Sequence, residues 1–228
     1  MNLKTIKPVL LFDVNETLLD MTPIKDSVNT LLGNNQGFRI WFGMLLHYSL
    51  VDNCTNQYHN FITIAGATLE MAAKALDKTT NEEERKETLS VIRKLKAYPD
   101  VEKGLTLLKE NGFRLATLTN SPENLLKEQL VNSNLQDYFE QTLSVDSIQK
   151  YKPLVETYHW AAKKIGVNPE NTIMIAAHGW DLTGAMNAGL QTAFVSREGQ
   201  ALYSISEKPN FEEKDIFEIA KVLVEHYS

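Results

Sequence analysis

The chain has 228 residues, of which 43% are apolar and 23% are charged, a composition typical of a globular protein with one large or two modest hydrophobic cores. The formal net charge is −6, and no run of Lys and Arg is long enough to follow a phosphate backbone, so we expect no nucleic-acid partner. The apolar run near the N-terminus has only five residues, which is too short for a signal peptide or a membrane span. We therefore expect a cytoplasmic protein without a membrane segment.

Cys54 is the only cysteine of the chain. A disulfide within the chain and a thiol-based metal site are therefore excluded. We expect Cys54 to be a small buried hydrophobe.

The first predicted element is a strand at residues 9–12, a short apolar run that ends at a carboxylate. Residues 20–97 then show helix-like patterns at 38–50 and 65–76, and no apolar run of comparable quality interrupts them. We interpret this stretch as an inserted helical cap. The segment 98–100, Tyr-Pro-Asp, predicts the hinge back to the core, because proline disfavours helix in the residue before it.

From residue 98 onward, helix-like and strand-like patterns alternate. They are a helix at 101–111, a strand at 114–119, a helix at 154–164, a strand at 172–177 and a terminal helix at 213–227. Continuous apolar runs closed by polar clusters are typical of strands buried on both faces of a parallel sheet. The sequence therefore predicts an α/β fold with a doubly wound parallel sheet. Its domains would be a Rossmann-like core, residues 1–19 and 98–228, and the helical cap, residues 20–97.

Polar side chains directly follow the three predicted strands: Asp13 after the first, Thr119 and Asn120 after the second, and His178 to Asp181 after the third. In open α/β sheets ligands bind outside the carboxyl ends of the strands, so we expect these side chains to converge. They would supply a carboxylate nucleophile, polar groups that orient it, and a histidine near a second carboxylate. This combination favours covalent hydrolysis.

Four segments resemble the motifs of the haloacid dehalogenase superfamily. Residues 12–20, FDVNETLLD, are similar to the first motif, in which Asp is the nucleophile and a Thr-Leu pair follows four residues later. Residues 118–120 resemble the second motif, 152–153 the third and 177–185 the fourth. All four occur in family order over residues 9–190, with the insertion between the first two, where this family often carries a helical cap.

Two departures from the phosphatase pattern favour the metal-independent L-2-haloacid dehalogenase branch. Phosphatases of the superfamily usually carry a second Asp two residues after the nucleophile, and this chain has Asn15 there. An amide cannot protonate a leaving alkoxide, a loss of roughly 10²- to 10⁴-fold in rate, whereas halide leaves without a proton. The fourth motif offers only Asp181 for a metal, which supplies an Mg²⁺ oxygen cage poorly. We therefore expect no cofactor and no metal.

The resemblance also implies roles for the motif residues. Thr17 accompanies the nucleophile Asp13, Thr119 orients its carboxylate, and Asn120 binds the leaving halide or the substrate. Lys152 holds the nucleophile ionised in place of a metal charge.

The fourth motif supplies a histidine and a carboxylate. Asp181 either caps a helix or positions the hydrolytic water. His178 stands where many dehalogenases of this branch have an amide, and it is either a surface histidine or the base that takes a proton from that water. Ser121 is expected to be a helix N-cap, with proline following at the first helical position.

The cap departs from the pattern of this branch, in which an arginine directly follows a cap tryptophan. Here Trp41 is followed by Phe42. Arg39 lies three residues before Phe42 on the same helical face, and it either substitutes for that arginine or is an exposed cation. Aromatic side chains of the cap and of the fourth motif either wall an apolar substrate pocket or belong to the core. These aromatic side chains are Phe42, Tyr48, Phe61 and Trp180, and Asn15 is placed with them on the substrate side.

The resemblance implies hydrolytic dehalogenation of short L-2-haloalkanoic acids to D-2-hydroxy acids by a small-molecule hydrolase that forms a homodimer. One alternative is a Mg²⁺-dependent phosphatase of the same superfamily, acting on a small phosphate ester, with Asp13 and Asp181 at the metal. Another is a binding or regulatory module that kept the fold without turnover, which the departure at Phe42 motivates.

Overall fold

Six parallel strands form one sheet in the computed structural model, which describes residues 7–228. The strands are β1 (Val9–Phe12), β2 (Leu115–Thr119), β3 (Gln141–Ser144), β4 (Thr172–Ala176), β5 (Gln191–Val195) and β6 (Phe211–Glu213). Their order across the sheet is β3-β2-β1-β4-β5-β6, and every neighbouring pair is parallel. The predicted doubly wound parallel sheet is confirmed. Residues 1–6 of the predicted core lie outside the described residues.

Nine α-helices accompany the sheet in the described part of the chain. They are α1 (Thr22–Leu32), α2 (Gly37–Thr55), α3 (Phe61–Ala75), α4 (Glu82–Ser90), α5 (Val101–Glu110), α6 (Glu123–Asn132), α7 (Val155–Ile165), α8 (Gly179–Asn187) and α9 (Ile216–His226). No helix among residues 7–228 is both long enough and apolar enough to cross a membrane.

The strand order reverses direction between β1 and β4, the two central strands, and this position determines where a site can form. Both strands are buried along their whole length, because every side chain of their apolar runs meets helices or neighbouring strands. Beyond β1, the backbone N–H of Asp13 still donates to the carbonyl of Ile175 at 3.0 Å. The chain therefore leaves the sheet at the crevice where doubly wound folds bind their ligands.

The helices α1 to α4 lie between β1 and α5 along the chain, within the segment that we call the cap (residues 20–97). Its two linkers run side by side: the N–H of Asp20 donates to the carbonyl of Lys96 at 2.9 Å, and that of Tyr98 to Leu18 at 3.0 Å. The chain thus leaves and re-enters the sheet region at one place. The pairing of the two linkers supports our proposal of a domain boundary at residues 20 and 97.

Two local expectations are wrong. Cys54 is exposed, because it lies near the C-terminal end of α2. Ser121 is not the N-cap of α6, which begins at Glu123 after Pro122. The Ser121 hydroxyl is engaged elsewhere, since it accepts a hydrogen bond from the Asn15 side chain at 3.0 Å.

Candidate active site

Asp13 is buried at the carboxyl end of β1 and both of its carboxylate oxygens are occupied. Oδ1 accepts from Lys152 Nζ at 2.8 Å, and Oδ2 accepts from Thr17 Oγ1 at 2.7 Å. Burial alone would raise the pKa of Asp13, but the charge of Lys152 and the hydrogen bond from His178 outweigh it and hold this pKa well below its usual range. Asp13 is therefore an ionised, fixed carboxylate, as a nucleophile requires.

Lys152 is fully buried and its ammonium group makes three hydrogen bonds. They run to Asp13 Oδ1 at 2.8 Å, to Asp181 Oδ2 at 2.6 Å and to the carbonyl of Leu118 at 3.0 Å. Burial would lower the pKa of Lys152, and the two carboxylates raise it above its ordinary value. The competing lysine of the motif, Lys150, instead forms an ion pair at the surface with Glu156. Lys152 thus supplies a fixed positive charge beside the Asp13 carboxylate.

Asp181 lies behind Lys152, at the start of α8. It has no exposed surface, and its Oδ1 accepts from the Tyr158 hydroxyl at 2.6 Å while Oδ2 accepts from Lys152. Helix α8 packs closely against Pro153 because Gly184 has no side chain. A Cβ at this position would lie 2.4 Å from the Cβ of Pro153. The expectation that Asp181 positions water does not fit this geometry, since both oxygens hold protein donors. It positions Lys152 instead.

Tyr158 was not identified from the sequence. It is fully buried on α7, and burial together with the Asp181 charge raises the pKa of its hydroxyl well above the ordinary value, so it stays a neutral donor. The helical pattern of residues 154–164 marks it only as an apolar position. Its partner on α8 is distant in sequence, and no local signal reports the contact.

His178 lies between two carboxylates. Its Nδ1 is 3.2 Å from Asp13 Oδ2, and its Nε2 is 2.8 Å from Glu16 Oε2. Burial would lower the pKa of His178, but its hydrogen bonds to Asp13 and Glu16 raise it to about 10. The histidine predicted as a base is therefore at the site, but at neutral pH it is a cation there.

Glu16 is the second functional residue that the sequence did not single out. It lies inside the first motif, one position before Thr17, so the sequence already places it three residues after Asp13. Its contact with His178 was not visible, because the two residues are brought together only by the adjacent strands β1 and β4.

Thr17 joins the loops that follow the two central strands. Its hydroxyl donates to Asp13 Oδ2 and accepts the backbone N–H of Ala177 at 3.0 Å. Its carbonyl accepts two bonds from the buried Arg197 guanidinium, which also forms an ion pair with Asp100 at 2.8 Å. Thr17 is held on both sides, and this fixes the orientation of the Asp13 carboxylate.

The second motif contributes the Thr119 hydroxyl and the Asn120 side-chain amide to the hydrogen bonds around the site. The Thr119 hydroxyl accepts from the N–H of Ser121 at 3.1 Å, and among residues 7–228 it makes no hydrogen bond to Asp13, so the expected orienting role does not fit. Asn120 Oδ1 accepts from the N–H of Lys152 at 3.0 Å. Its buried Nδ2 has no hydrogen-bond partner in the described part of the chain. That group is a donor available to a ligand.

Trp180 offers a second such donor. Its ring stacks on the imidazole of His178 with a centroid separation of 5.4 Å, and the Lys152 ammonium lies 5.8 Å from the ring centroid. The indole Nε1 is buried and, as far as residues 7–228 show, unpartnered. An N–H without an acceptor in a buried site costs free energy unless a ligand or water satisfies it.

Asn15 is not on the substrate side, contrary to the expectation. Its Nδ2 donates to Ser121 Oγ, and its Oδ1 accepts from Gln129 Nε2, both at 3.0 Å. Both ends of the amide are used, so Asn15 ties the loop that follows β1 to α6.

A cleft of about 990 Å³ opens between α2 of the cap and the segment 198–203 of the core. His178, Glu16 and Trp180 lie on its wall, and on the cap side it is lined by Arg39 and Phe42. The ring of Phe42 stacks on that of Phe38 at 5.3 Å. Arg39 is exposed and has no ion-pair partner in the part of the chain that is described. The cleft therefore opens the His178 side of the site to solvent, between an aromatic wall and the Arg39 cation, while Asp13 is not among its lining residues.

Two aromatic residues predicted for this pocket lie elsewhere. Tyr48 lines a separate groove of about 270 Å³, because six residues along a helix turn it about 120° away from Phe42. Phe61 is buried at the start of α3 and packs against Tyr151 at 5.9 Å. Neither side chain lines the cleft.

The residues at the site do not fit the Mg²⁺ of the phosphatase alternative. That alternative assigns the metal to Asp13 and Asp181, but both carboxylates are bound by the Lys152 ammonium. Residues 7–228 contain no cluster of three or more His, Cys, Asp or Glu side chains that could hold a metal. Mg²⁺ requires a set of oxygen ligands, and the ammonium that already binds both carboxylates would repel the cation.

Two known dehalogenases are similar to this chain in sequence. The chain is 28% identical over 190 residues to (S)-2-haloacid dehalogenase 4A from Burkholderia cepacia, which covers 82% of each protein. It is 26% identical over 202 residues to haloacetate dehalogenase H-2 from Moraxella sp. (strain B), which covers 88% of this chain and 90% of that protein.

Solved structures share the fold. The L-2-haloacid dehalogenase from Xanthobacter autotrophicus with chloropropionic acid covalently bound superposes with a TM-score of 0.87, at 20% identity, over 96% of this chain and 98% of that one. A HAD phosphatase from Thermococcus onnurineus reaches a TM-score of 0.62, at 23% identity, over 95% and 97%. A family model described as haloacid dehalogenase-like hydrolase matches residues 10–195. The chain belongs to the haloacid dehalogenase-like hydrolase family.

Proposed function

We propose that this chain hydrolyses short L-2-haloalkanoic acids to D-2-hydroxy acids through a covalent ester on Asp13, without a metal ion. The observation that carries this proposal is the buried ion pair between Asp13 and Lys152 at 2.8 Å. It keeps a carboxylate ionised and oriented by a cation that belongs to the protein. The names of the relatives from Burkholderia and Moraxella support the choice of substrate.

In the first half-reaction the Asp13 carboxylate attacks C2 of the haloacid and the carbon–halogen bond breaks. Attack opposite to the leaving halide inverts the configuration at C2. The halide needs hydrogen-bond donors, and the unpartnered N–H groups of Asn120 and Trp180 are suited to that task. Arg39, on the cap side of the cleft, is suited to the substrate carboxylate.

In the second half-reaction water attacks the carbonyl carbon of the Asp13 ester. Neutral His178 takes a proton from this water, and the tetrahedral intermediate then expels the alkoxide. Of the two protons of the water, one ends on the alkoxide and the other on His178, so the hydroxy acid leaves, the Asp13 carboxylate is restored and His178 ends as imidazolium. Its Nδ1 is in direct contact with Asp13 Oδ2 at 3.2 Å, so a water bound beside this contact is within reach of both the ring nitrogen and the ester carbonyl. This task requires His178 to lose the proton that it carries in the free enzyme.

The phosphatase alternative lacks two groups. A general acid would have to be Asn15, whose amide is engaged at both ends, and the carboxylates that would hold Mg²⁺ are bound by Lys152. Release of chloride or bromide from chloroacetate, bromoacetate and 2-chloropropionate, with and without EDTA, separates the two activities. We expect halide release that chelation leaves unchanged. No release, together with turnover of a phosphomonoester, would refute the dehalogenase.

The binding-module alternative is tested with Asp13→Asn. Multiple turnover that this substitution abolishes would dismiss a role in binding alone, whereas thermal stabilisation by the haloacid without any product would support it. The homodimer and the cytoplasmic location stay predictions.

A further inference from the structure

Glu16 has an unusual backbone conformation for a residue with a side chain. Its φ is 61°, in the left-handed region that favours glycine. Its carboxylate is mostly buried and bonds to His178 Nε2 at 2.8 Å. A strained conformation next to a reactive group persists where its side chain has a task. That task must concern the histidine, because the carboxylate points to the imidazole.

The imidazole faces a carboxylate at each of its two nitrogens. Carboxylates are acceptors only, so both nitrogens of His178 carry protons in the free enzyme. One face of the ring is covered by Trp180. The other charged groups nearby are Lys152, which binds the far oxygen of Asp13, and Lys25, Arg39 and Glu198, which line the cleft. A doubly protonated imidazole cannot accept a proton from water.

Alkylation of Asp13 changes the contact at Nδ1 of His178 and leaves the contact of Nε2 with Glu16 unchanged. When Asp13 becomes an ester it loses its negative charge, and His178 loses one of the two carboxylates that stabilise its cation. The hydrogen bond between Glu16 and Nε2 is not touched by this change. A neutral imidazole keeps one proton, and the carboxylate of Glu16 holds that proton on Nε2. The lone pair of Nδ1 then faces the ester.

We propose that Glu16 is a positioning residue for ester hydrolysis, and that the enzyme releases its proton to solvent together with the halide. This inference rests on the proposed function. In the first step haloacid, Asp13 carboxylate and imidazolium give ester, halide, neutral imidazole and one proton. In the second step ester, water and neutral imidazole give carboxylate, hydroxy acid and imidazolium. The sum is haloacid plus water giving hydroxy acid, halide and one proton.

The experiment is a single turnover of 2-bromopropionate with excess enzyme in weak buffer that contains a pH indicator. Bromide, protons, hydroxy acid and the intact protein mass are followed together. We expect one proton to appear with the bromide and none with the hydroxy acid. His178→Ala is the matched control, because without the imidazole the proton should appear only with the hydroxy acid. A proton that accompanies the hydroxy acid in the unmodified enzyme would overturn the inference.

Glu16→Gly removes the carboxylate at a backbone position that glycine adopts without strain. We expect alkylation within a few-fold of the original rate, hydrolysis slowed on the order of 10²-fold as a misplaced base implies, and accumulation of the ester. Glu16→Gln should recover part of the hydrolytic rate, since its amide oxygen still accepts the Nε2 proton. A merely structural role would slow both steps alike, and that result, or hydrolysis at the original rate in Glu16→Gly, would overturn the inference. Absence of bromide release from the unmodified enzyme would instead refute the proposed function itself.

Discussion

The Lys152 ammonium lies 2.8 Å from Asp13 Oδ1, and both side chains are almost completely buried. Asp181 binds the same ammonium from behind at 2.6 Å. An isolated charge is expensive to bury, and these groups offset that cost for one another only as long as all are present. Lys152 therefore contributes both to the charge of the Asp13 carboxylate and to its position, together with His178 and Thr17.

Replacing Lys152 with Met should remove the alkylation step and destabilise the fold. Breaking a buried ion pair from one side typically costs about 3–5 kcal/mol, because it leaves an uncompensated charge. Urea unfolding and a single-turnover halide assay measure the two effects. Lys150→Met is the matched control, since the surface pair of Lys150 with Glu156 should contribute less than about 1 kcal/mol. An active Lys152→Met enzyme would contradict the assigned role.

His178→Ala should separate the two half-reactions. Alkylation of Asp13 needs no base, whereas hydrolysis of the ester loses its base and should slow by roughly 10²- to 10⁴-fold. A halide burst is then followed by accumulation of the ester, which appears as added mass in the intact protein. A variant without a burst and without an adduct would instead assign His178 to binding or alkylation.

The charge of His178 should also affect stability. Because its pKa is raised to about 10 in the folded protein, its contribution is fully present below the unfolded pKa of about 6.5. The contribution decreases as pH rises from there and is lost above about 10. Free energies of unfolding across this window should fall more steeply for the unmodified protein than for His178→Asn, which cannot titrate. Equal slopes would show that the imidazolium is not stabilised.

Arg39→Gln should weaken substrate binding. Loss of one charge-assisted contact to a carboxylate in an open cleft should raise KM about 10-fold, equivalent to about 1.4 kcal/mol. Tyr48→Phe is the control on the same helix, since Tyr48 lies on the opposite face in a separate groove. Initial rates over a range of 2-chloropropionate concentrations give both constants. Equal KM values for Arg39→Gln and the unmodified enzyme would place Arg39 outside the substrate site.

The sequence predicted three adjacent central strands and missed β3, β5 and β6, of which β5 is an interior and largely buried strand. The strands at 9–12, 114–119 and 172–177 correspond to β1, β2 and β4 within one residue at each end. These strands are buried on both faces, and burial selects the continuous apolar runs that reveal them. The edge strand β6 is only partly buried and has the sequence FEE. Helix α4 is highly charged and buries only Thr88 and Leu89, so neither element had a hydrophobic pattern.

The same distinction holds for the site. Asp13 and His178 each follow a central strand, and they lie in contact because the sheet brings the carboxyl ends of its strands together. Glu16 and Tyr158 were missed, since each acts through a partner more than twenty positions away in the chain. Phe61 was misplaced for a related reason, because an aromatic side chain in a helix packs into the core as readily as it lines a pocket.

The most direct test of the central claim is a single turnover of 2-bromopropionate in water enriched in ¹⁸O, followed by mass spectrometry of the peptide that contains Asp13. If water attacks the carbonyl carbon of an Asp13 ester, one ¹⁸O atom enters the Asp13 carboxylate and the hydroxy acid of the first turnover carries none. Label in the hydroxy acid with none in Asp13 would mean that water displaces the halide directly, and it would contradict covalent catalysis by this chain.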